Sequence, residues 1–222
     1  MKRKTLISTA GFFLTAQLVI LVVLLLGCEK KASDEIDFGT FNNSAYHNNF
    51  FGMSLTMPAN WSIQDRSAQE RLMKLGETMV AGDDKSMKTA MKASELQSVN
   101  LFAVYKYPLG SPVTNNPAVM AMAERVSQLP GIKRGKDYLF QVRQMLEASQ
   151  VQVDVSNDTY TQQLGGVDFD VLDLKLHIRG MIIREKYYST IMKGYALNFI
   201  FMFRDEQMDP AQQAVLDSVT FK

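Results

Sequence analysis

Val167-Asp168-Phe169-Asp170-Val171-Leu172-Asp173-Leu174-Lys175-Leu176-His177-Ile178, then Arg179-Gly180, then Met181-Ile182-Ile183-Arg184-Glu185-Lys186-Tyr187-Tyr188-Ser189-Thr190-Ile191-Met192 reads as two long strands joined by a tight turn. Apolar and polar side chains alternate along much of the first run, as in a strand with one buried face, and an Xaa-Gly pair between the two runs suits a hairpin. Tyr195–Arg204 continues the meander, with Leu197, Phe199, Phe201 and Phe203 on one face and Ile200 and Met202 on the other. A strand apolar on both faces is expected at the centre of a sheet. Upstream, Gly165-Gly166 predicts another hairpin turn, preceded by strands over Val151–Val155 and Thr159–Leu164. Within Val167–Ile178 the apolar set changes parity, from Val167, Phe169 and Val171 to Leu172, Leu174, Leu176 and Ile178, which predicts a β-bulge near Val171-Leu172.

The first half adds helices. Met53, Leu55 and Met57 alternate with Ser54 and Thr56 in a strand that Pro58 stops, and Trp61 opens a short extended piece. Ser67-Ala68-Gln69-Glu70 has the form of a capping box, and Ala68, Leu72, Leu75 and Met79 fall on one helical stripe. Val99–Tyr107 reads as a strand. Asn116-Pro117 predicts the start of a helix carrying Val119, Met122, Val126 and Leu129, ended by Pro130-Gly131. A further helix is expected over 137–148, burying Leu139, Val142 and Leu146, and Asp209-Pro210 caps a last one to about Ser218. Consecutive hairpins imply an antiparallel sheet, and helices from both halves are available to cover it. The expected class is α+β, an antiparallel β-sheet with helices packed on both faces in a three-layer sandwich.

The chain of 222 residues has 24 basic and 23 acidic side chains, a balance that excludes a nucleic-acid binder built on bulk positive charge. One Cys and two His give no basis for a zinc cluster, a disulfide framework or an iron–sulfur site. Met1-Lys2-Arg3-Lys4, an apolar stretch through Leu18–Leu26, and then Gly27-Cys28 have the layout of a secretory signal. Leu25-Leu26-Gly27-Cys28 resembles the lipobox of bacterial lipoproteins. That resemblance implies cleavage before Cys28, acylation of its sulfur (a palmitate-type modification), and a lipid anchor in the cell envelope. An uncleaved signal anchor over Leu6–Gly27 is the competing reading, since the stretch is about long enough to span a bilayer. Glu29 after the Cys leans towards the outer membrane in a source with two membranes.

The expected organisation is a signal peptide at 1–27, a flexible tether at 28–44 and one domain at 45–222. Loss of Lys2, Arg3 and Lys4 with the signal takes 24 basic residues to 21 against 23 acidic, a net charge of −2. Acylation of Cys28 would leave no thiol nucleophile.

Phe50-Phe51-Gly52-Met53-Ser54-Leu55-Thr56-Met57-Pro58-Ala59-Asn60-Trp61 resembles the opening of the PsbP-like families: an aromatic and a Gly, an alternating strand, Pro, two residues and Trp. The long meander, Tyr195-Ala196-Leu197-Asn198-Phe199, a polar turn, and a short helix closing at Ser218-Val219-Thr220-Phe221 agree with that pattern. The likeness spans about residues 45–222. It implies a PsbP-like α/β/α sandwich that binds other macromolecules and is not an enzyme, which is a fold-level analogy.

Candidate chemistry is sparse. His177 is expected on a wet strand face with Asp173, Lys175 and Arg179, and His47 in a turn beside Tyr46, Asn48 and Asn49. Neither accompanies a Gly-x-Ser-x-Gly elbow, so a hydrolase triad has no support. Asp168 and Asp170 point the same way from one strand, as a catalytic carboxylate pair must, although adjacent outward carboxylates are commonplace. Asp83-Asp84 reads as a turn rather than a calcium loop. Lys133-Arg134-Gly135-Lys136 offers contact with phosphates or anionic headgroups. Met87 and Met91 share a helical face but make a weak copper site without His or Cys nearby. No metal, cofactor or nucleic acid is expected. The expected partners are a membrane, through the lipid anchor, and another envelope protein, for which this chain would be a non-catalytic assembly or accessory factor. The alternative is a small-ligand carrier or sensor with a pocket between sheet and helices, lined by aromatics such as Phe199, Phe201, Tyr187 or Tyr188.

Overall fold

The computed structural model describes residues 36–178 and 180–222, so the lipobox and Arg179 lie outside the described residues. Strands β4 (Ser62–Ile63), β5 (Ser98–Tyr105), β6 (Ala118–Arg125), β7 (Gln152–Val155), β8 (Tyr160–Leu164), β9 (Val167–Ile178), β10 (Met181–Met192) and β11 (Tyr195–Phe203) form an antiparallel sheet ordered β4-β5-β6-β11-β10-β9-β7. The long strand β9 has its outer edge shared, β7 pairing with Leu174–His177 and β8 with Val167–Val171. A second, small sheet runs β1 (Thr40–Asn42), β2 (Ala45–Asn48), β3 (Met53–Thr56) and β12 (Thr220–Phe221).

Among the described residues, four helices join these sheets in an α+β fold: α1 (Arg66–Ala81), α2 (Lys85–Glu95), α3 (Gly135–Glu147) and α4 (Pro210–Asp217). On one face of the large sheet, Leu139, Val142 and Leu146 of α3 pack on Leu172, Leu174 and Ala196, and Leu72 of α1 packs beside Ala103, Tyr105 and Met202. The opposite face receives the small sheet. There Tyr46 and Phe41 meet Phe102, Phe221 meets Phe169, and Phe50 and Phe51 meet Tyr195, with ring centroids 4.7–6.2 Å apart. The C-terminal helix α4 joins this second face, burying Val215 and Leu216 and lying against β3. β11, buried from Tyr195 to Phe201, is the centre of the stack, as its two apolar faces require.

Several expectations change. The helix read from Asn116-Pro117 is strand β6, in which Val119, Ala121 and Ala123 point to one face and Ala118, Met120 and Met122 to the other. Alanine is a strong helix former, but here its small size decides. Ala121 sits between Phe102 on β5 and Phe199 on β11, so a larger side chain would collide with one of the rings. No bulge occurs near Val171-Leu172, and the β9–β10 register runs unbroken from Ile178 to Asp170. The parity change has another cause, since both faces of β9 are covered there, Phe169 packing on Phe199 and Leu172 under α3. The register shift that does occur lies in β5, between Asn100 and Phe102.

Of the tether expected over 28–44, residues 28–35 lie outside the described residues, and the folded unit begins at Asp37. Its carboxylate accepts from the Gly39 and Phe50 amides, the Phe38 carbonyl accepts from Tyr46 Oη at 2.7 Å, and β1 pairs with β2 through a turn at Asn43 (φ 54°).

Helix ends follow local chemistry. α1 is capped by Asp65, whose carboxylate accepts from Ala68 N at 2.7 Å, rather than by the expected Ser67. α4 is capped by Asp209, with Gln212 returning the bond from its side chain. Gln212 is fully buried, and its amide also donates to the carbonyls of Ala118 (2.8 Å) and Met202 (3.0 Å), tying α4 to the ends of β6 and β11. Gln212→Ala is expected to cost roughly 2 kcal/mol by leaving two buried carbonyls unpaired. A urea midpoint unchanged from the parent would show that water replaces those bonds.

Candidate functional site

Among the described residues, a cleft of about 380 Å³ lies beside β7, β9 and β10. Its walls carry both charges, and some of them are paired. Lys186 Nζ lies 2.5 Å from Asp173 Oδ1 and 3.0 Å from Tyr160 Oη, and Arg184 donates to the Arg204 carbonyl at 2.6 Å. Near the rim, His177 Nε2 meets Asp154 Oδ2 at 2.9 Å. Burial alone would pull the Lys186 pKa down, but hydrogen bonds to Asp173 and Tyr160 outweigh it and hold the ammonium above its ordinary value. A lysine that keeps its proton is neither a base nor a nucleophile. Lys186 here serves an ion pair with Asp173.

Glu185 lies between Arg184 and Lys186 in sequence and points to the other face, where its β11 partner Met202 packs under α1. It is buried, and burial pushes its carboxyl up to about 7, a shift partly offset by the adjacent Tyr187 hydroxyl. Burial also raises Tyr187 and Tyr105 above the ordinary phenol range. On the same face, Glu124 accepts from Tyr138 Oη on α3 and from Ser94 Oγ at the end of α2, both at 2.8 Å. One carboxylate thereby joins β6 to two helices.

The residues singled out in the sequence are mostly structural. Asp170 and Asp168 diverge in role. Asp170 is buried and accepts from Lys136 N (2.9 Å), Thr161 Oγ1 (2.9 Å) and Arg134 (3.3 Å), whereas Asp168 is exposed beside Gln163. Asp137 reaches back to the Lys133 and Arg134 amides at 2.9 Å, and those bonds hold its carboxyl below the usual range. Two carboxylates of the chain thus already occupy the start of α3, while the side chains of Lys133 and Lys136 stay exposed. His47 lies in strand β2, not in a turn, with Nδ1 2.9 Å from Ser54 Oγ. Asp84 caps α2 through the Ser86 and Met87 amides. Met87 and Met91 are half-buried on α2.

Phe199 and Phe201 do not line a pocket under the helices. They face the small-sheet side, where Phe169 and Tyr188 fill the space around them. Glu124, Glu185 and Gln212 escaped sequence reading. The signal available was a charged or amide group at a position whose strand or helix neighbours were otherwise apolar.

No protein-family model matches the chain, and no curated protein matches it. Among solved structures, similarity is found to a cyanobacterial PsbP (CyanoP) from Synechocystis sp. PCC 6803, at 12% identity over 88% of this chain and 98% of that one, TM-score 0.45. LpqN, described as involved in cell envelope biogenesis of Mycobacterium tuberculosis, matches at 11% identity over 76% of this chain and 82% of its own, TM-score 0.40. A Bacteroides thetaiotaomicron VPI-5482 protein matches at 13% identity over 77% of this chain, TM-score 0.39, and the match spans 45% of that longer chain.

Proposed function

We propose that this chain is an envelope lipoprotein, anchored through Cys28, whose α+β domain acts as a non-catalytic accessory factor by binding another envelope protein. The lipobox-like Leu25-Leu26-Gly27-Cys28 and its basic and apolar lead-in support the anchor. One observation carries the protein-binding part. The loop between β5 and β6 holds out Tyr107 (39% exposed), Leu109 (42%) and Val113 (40%) from a fixed base. Asn116 clamps both ends of Tyr107, donating to its carbonyl and accepting from its amide, Arg204 donates to the Thr114 carbonyl, and Asn115 donates to Asp205. Exposed apolar side chains on a braced loop present a surface at little ordering cost, as a docking site requires.

The test is a photo-crosslinking residue at Leu109, with a second at Lys175 as control, in the full chain expressed in its native envelope. A discrete adduct from position 109 and none from 175 is the expected result. Adducts indistinguishable between the two positions would overturn the reading. Loss of acyl labelling in Cys28→Ser checks the anchor separately.

A further inference from the structure

One end of the large sheet combines features that the protein-binding loop lacks. The β10–β11 turn at Lys193-Gly194 meets the segment after β6, Val126 N donating to the Gly194 carbonyl at 3.0 Å. Arg125 donates to Tyr195 Oη at 2.9 Å, the Tyr195 ring lies 5.6 Å from Phe50, and Lys193 Nζ bonds the Phe50 carbonyl at 2.5 Å. The start of α3 closes against the same end, Lys136 N bonding Asp170 opposite Ser189 on β10. The end of α2 joins it as well, since Arg125 N donates to the Gln97 carbonyl.

This end therefore displays Lys92, Arg125, Lys133, Lys136 and Lys193, all exposed, beside the carboxylates Glu95 and Asp168. Two leucines stand out from it into solvent, Leu96 at 77% and Leu129 at 47% exposure. Basic side chains around protruding apolar tips are the composition of a surface that rests on anionic headgroups.

The chain also enters the fold here, because Asp37 accepts from Phe50 N at 3.2 Å. From Cys28 to Asp37 is a step of nine residues in sequence, a span of at most ~30 Å when fully extended. That length bounds how far this end could stand from a bilayer holding a lipid on Cys28.

We propose that this end of the sheet seats on an anionic lipid surface, Lys133, Lys136 and Lys193 meeting headgroups and Leu96 and Leu129 entering the interface. The proposal rests on the reading of Cys28 as the anchor. It points the loop at Tyr107–Val113, which lies at the other end of β5 and β6, away from the bilayer.

The full acylated chain, purified and inserted into vesicles, tests this through the rate at which each lysine reacts with a water-soluble amine reagent, read by mass spectrometry. Vesicles of phosphatidylcholine alone are compared with phosphatidylcholine mixed with phosphatidylglycerol. In the anionic vesicles Lys133, Lys136 and Lys193 are expected to react about fivefold more slowly, in line with the attraction of single basic residues to such surfaces. Lys175, near the opposite end of β9, should be unaffected, and molar salt should abolish the difference. Equal rates in the two vesicle types, or protection that includes Lys175, would overturn the proposal while leaving the anchor intact. An N-terminal peptide without acyl mass, in a chain that does not join vesicles, would overturn the anchor and the proposal with it.

Discussion

Gly135→Ala is expected to lower stability by about 3 kcal/mol or more. Gly135 is the first residue of α3, and a Cβ there would lie 1.9 Å from the Ser189 carbonyl oxygen and 3.2 Å from the Asp170 Cβ. The first contact is with backbone in the middle of β10, paired on both edges with β9 and β11, so it has nowhere to move. The helix must rise instead. That motion would stretch the 2.9 Å bond from Lys136 N to Asp170 and loosen Leu139, Val142 and Leu146 over Leu172 and Leu174. Chemical denaturation of the two proteins measures the difference, and a loss below the error of that measurement would show that α3 does not dock this closely.

Glu185→Gln should act in the opposite direction and only above acidic pH. The folded chain holds the Glu185 proton up to about pH 7, against an ordinary value of 4.5. Whatever stability protonation confers is complete below that ordinary value and drains away as pH rises towards 7, because the unfolded chain has already released its proton. Over that interval the parent is expected to lose roughly 3 kcal/mol through this one group. The glutamine variant, neutral at every pH, should match the parent near pH 4.5 and exceed it at pH 8 by a similar amount. A variant less stable than the parent at pH 8 would mean that the carboxylate is paired in the folded state. The groups moving the other way, Asp137 and Asp209, are near the surface and common to both proteins, so they cancel in the comparison.

The second half of this fold was plain in the sequence and the first half only in part. β9 and β10 have the limits that their flanking turns, Gly165-Gly166, Arg179-Gly180 and Lys193-Gly194, give them, and α4 starts where Asp209-Pro210 says it must. β6 is ambiguous in sequence because Val119, Met122, Val126 and Leu129 fit a helical stripe as well as Val119, Ala121 and Ala123 fit a strand face. Only the flanking rings of Phe102 and Phe199 choose between them, and those come from distant parts of the chain. The same is true of the polar sites. Asp170 looked like half of a carboxylate pair because sequence shows neighbours along a strand, while its partners Lys136 and Arg134 arrive from a helix 34 and 36 residues away. The basic trio Lys133, Arg134 and Lys136 was visible, but its placement at the same end as Lys193 and Arg125 depends on where the strands turn.

The pairing of β12 with β3 sets an order of events. Thr220 lies opposite Ser54, and their side chain and backbone meet across 166 positions of chain. Closing so long a loop is entropically slow, and contacts of this separation are what make β-rich domains fold late. The meander from β8 to β11, held by turns of two residues, can assemble as soon as it is made. β3 keeps an unpaired edge until residues 220–221 arrive, and for that interval the half-built small sheet is a template for a neighbouring chain. The last short strand is thus a latch against self-association during synthesis, out of proportion to its two residues.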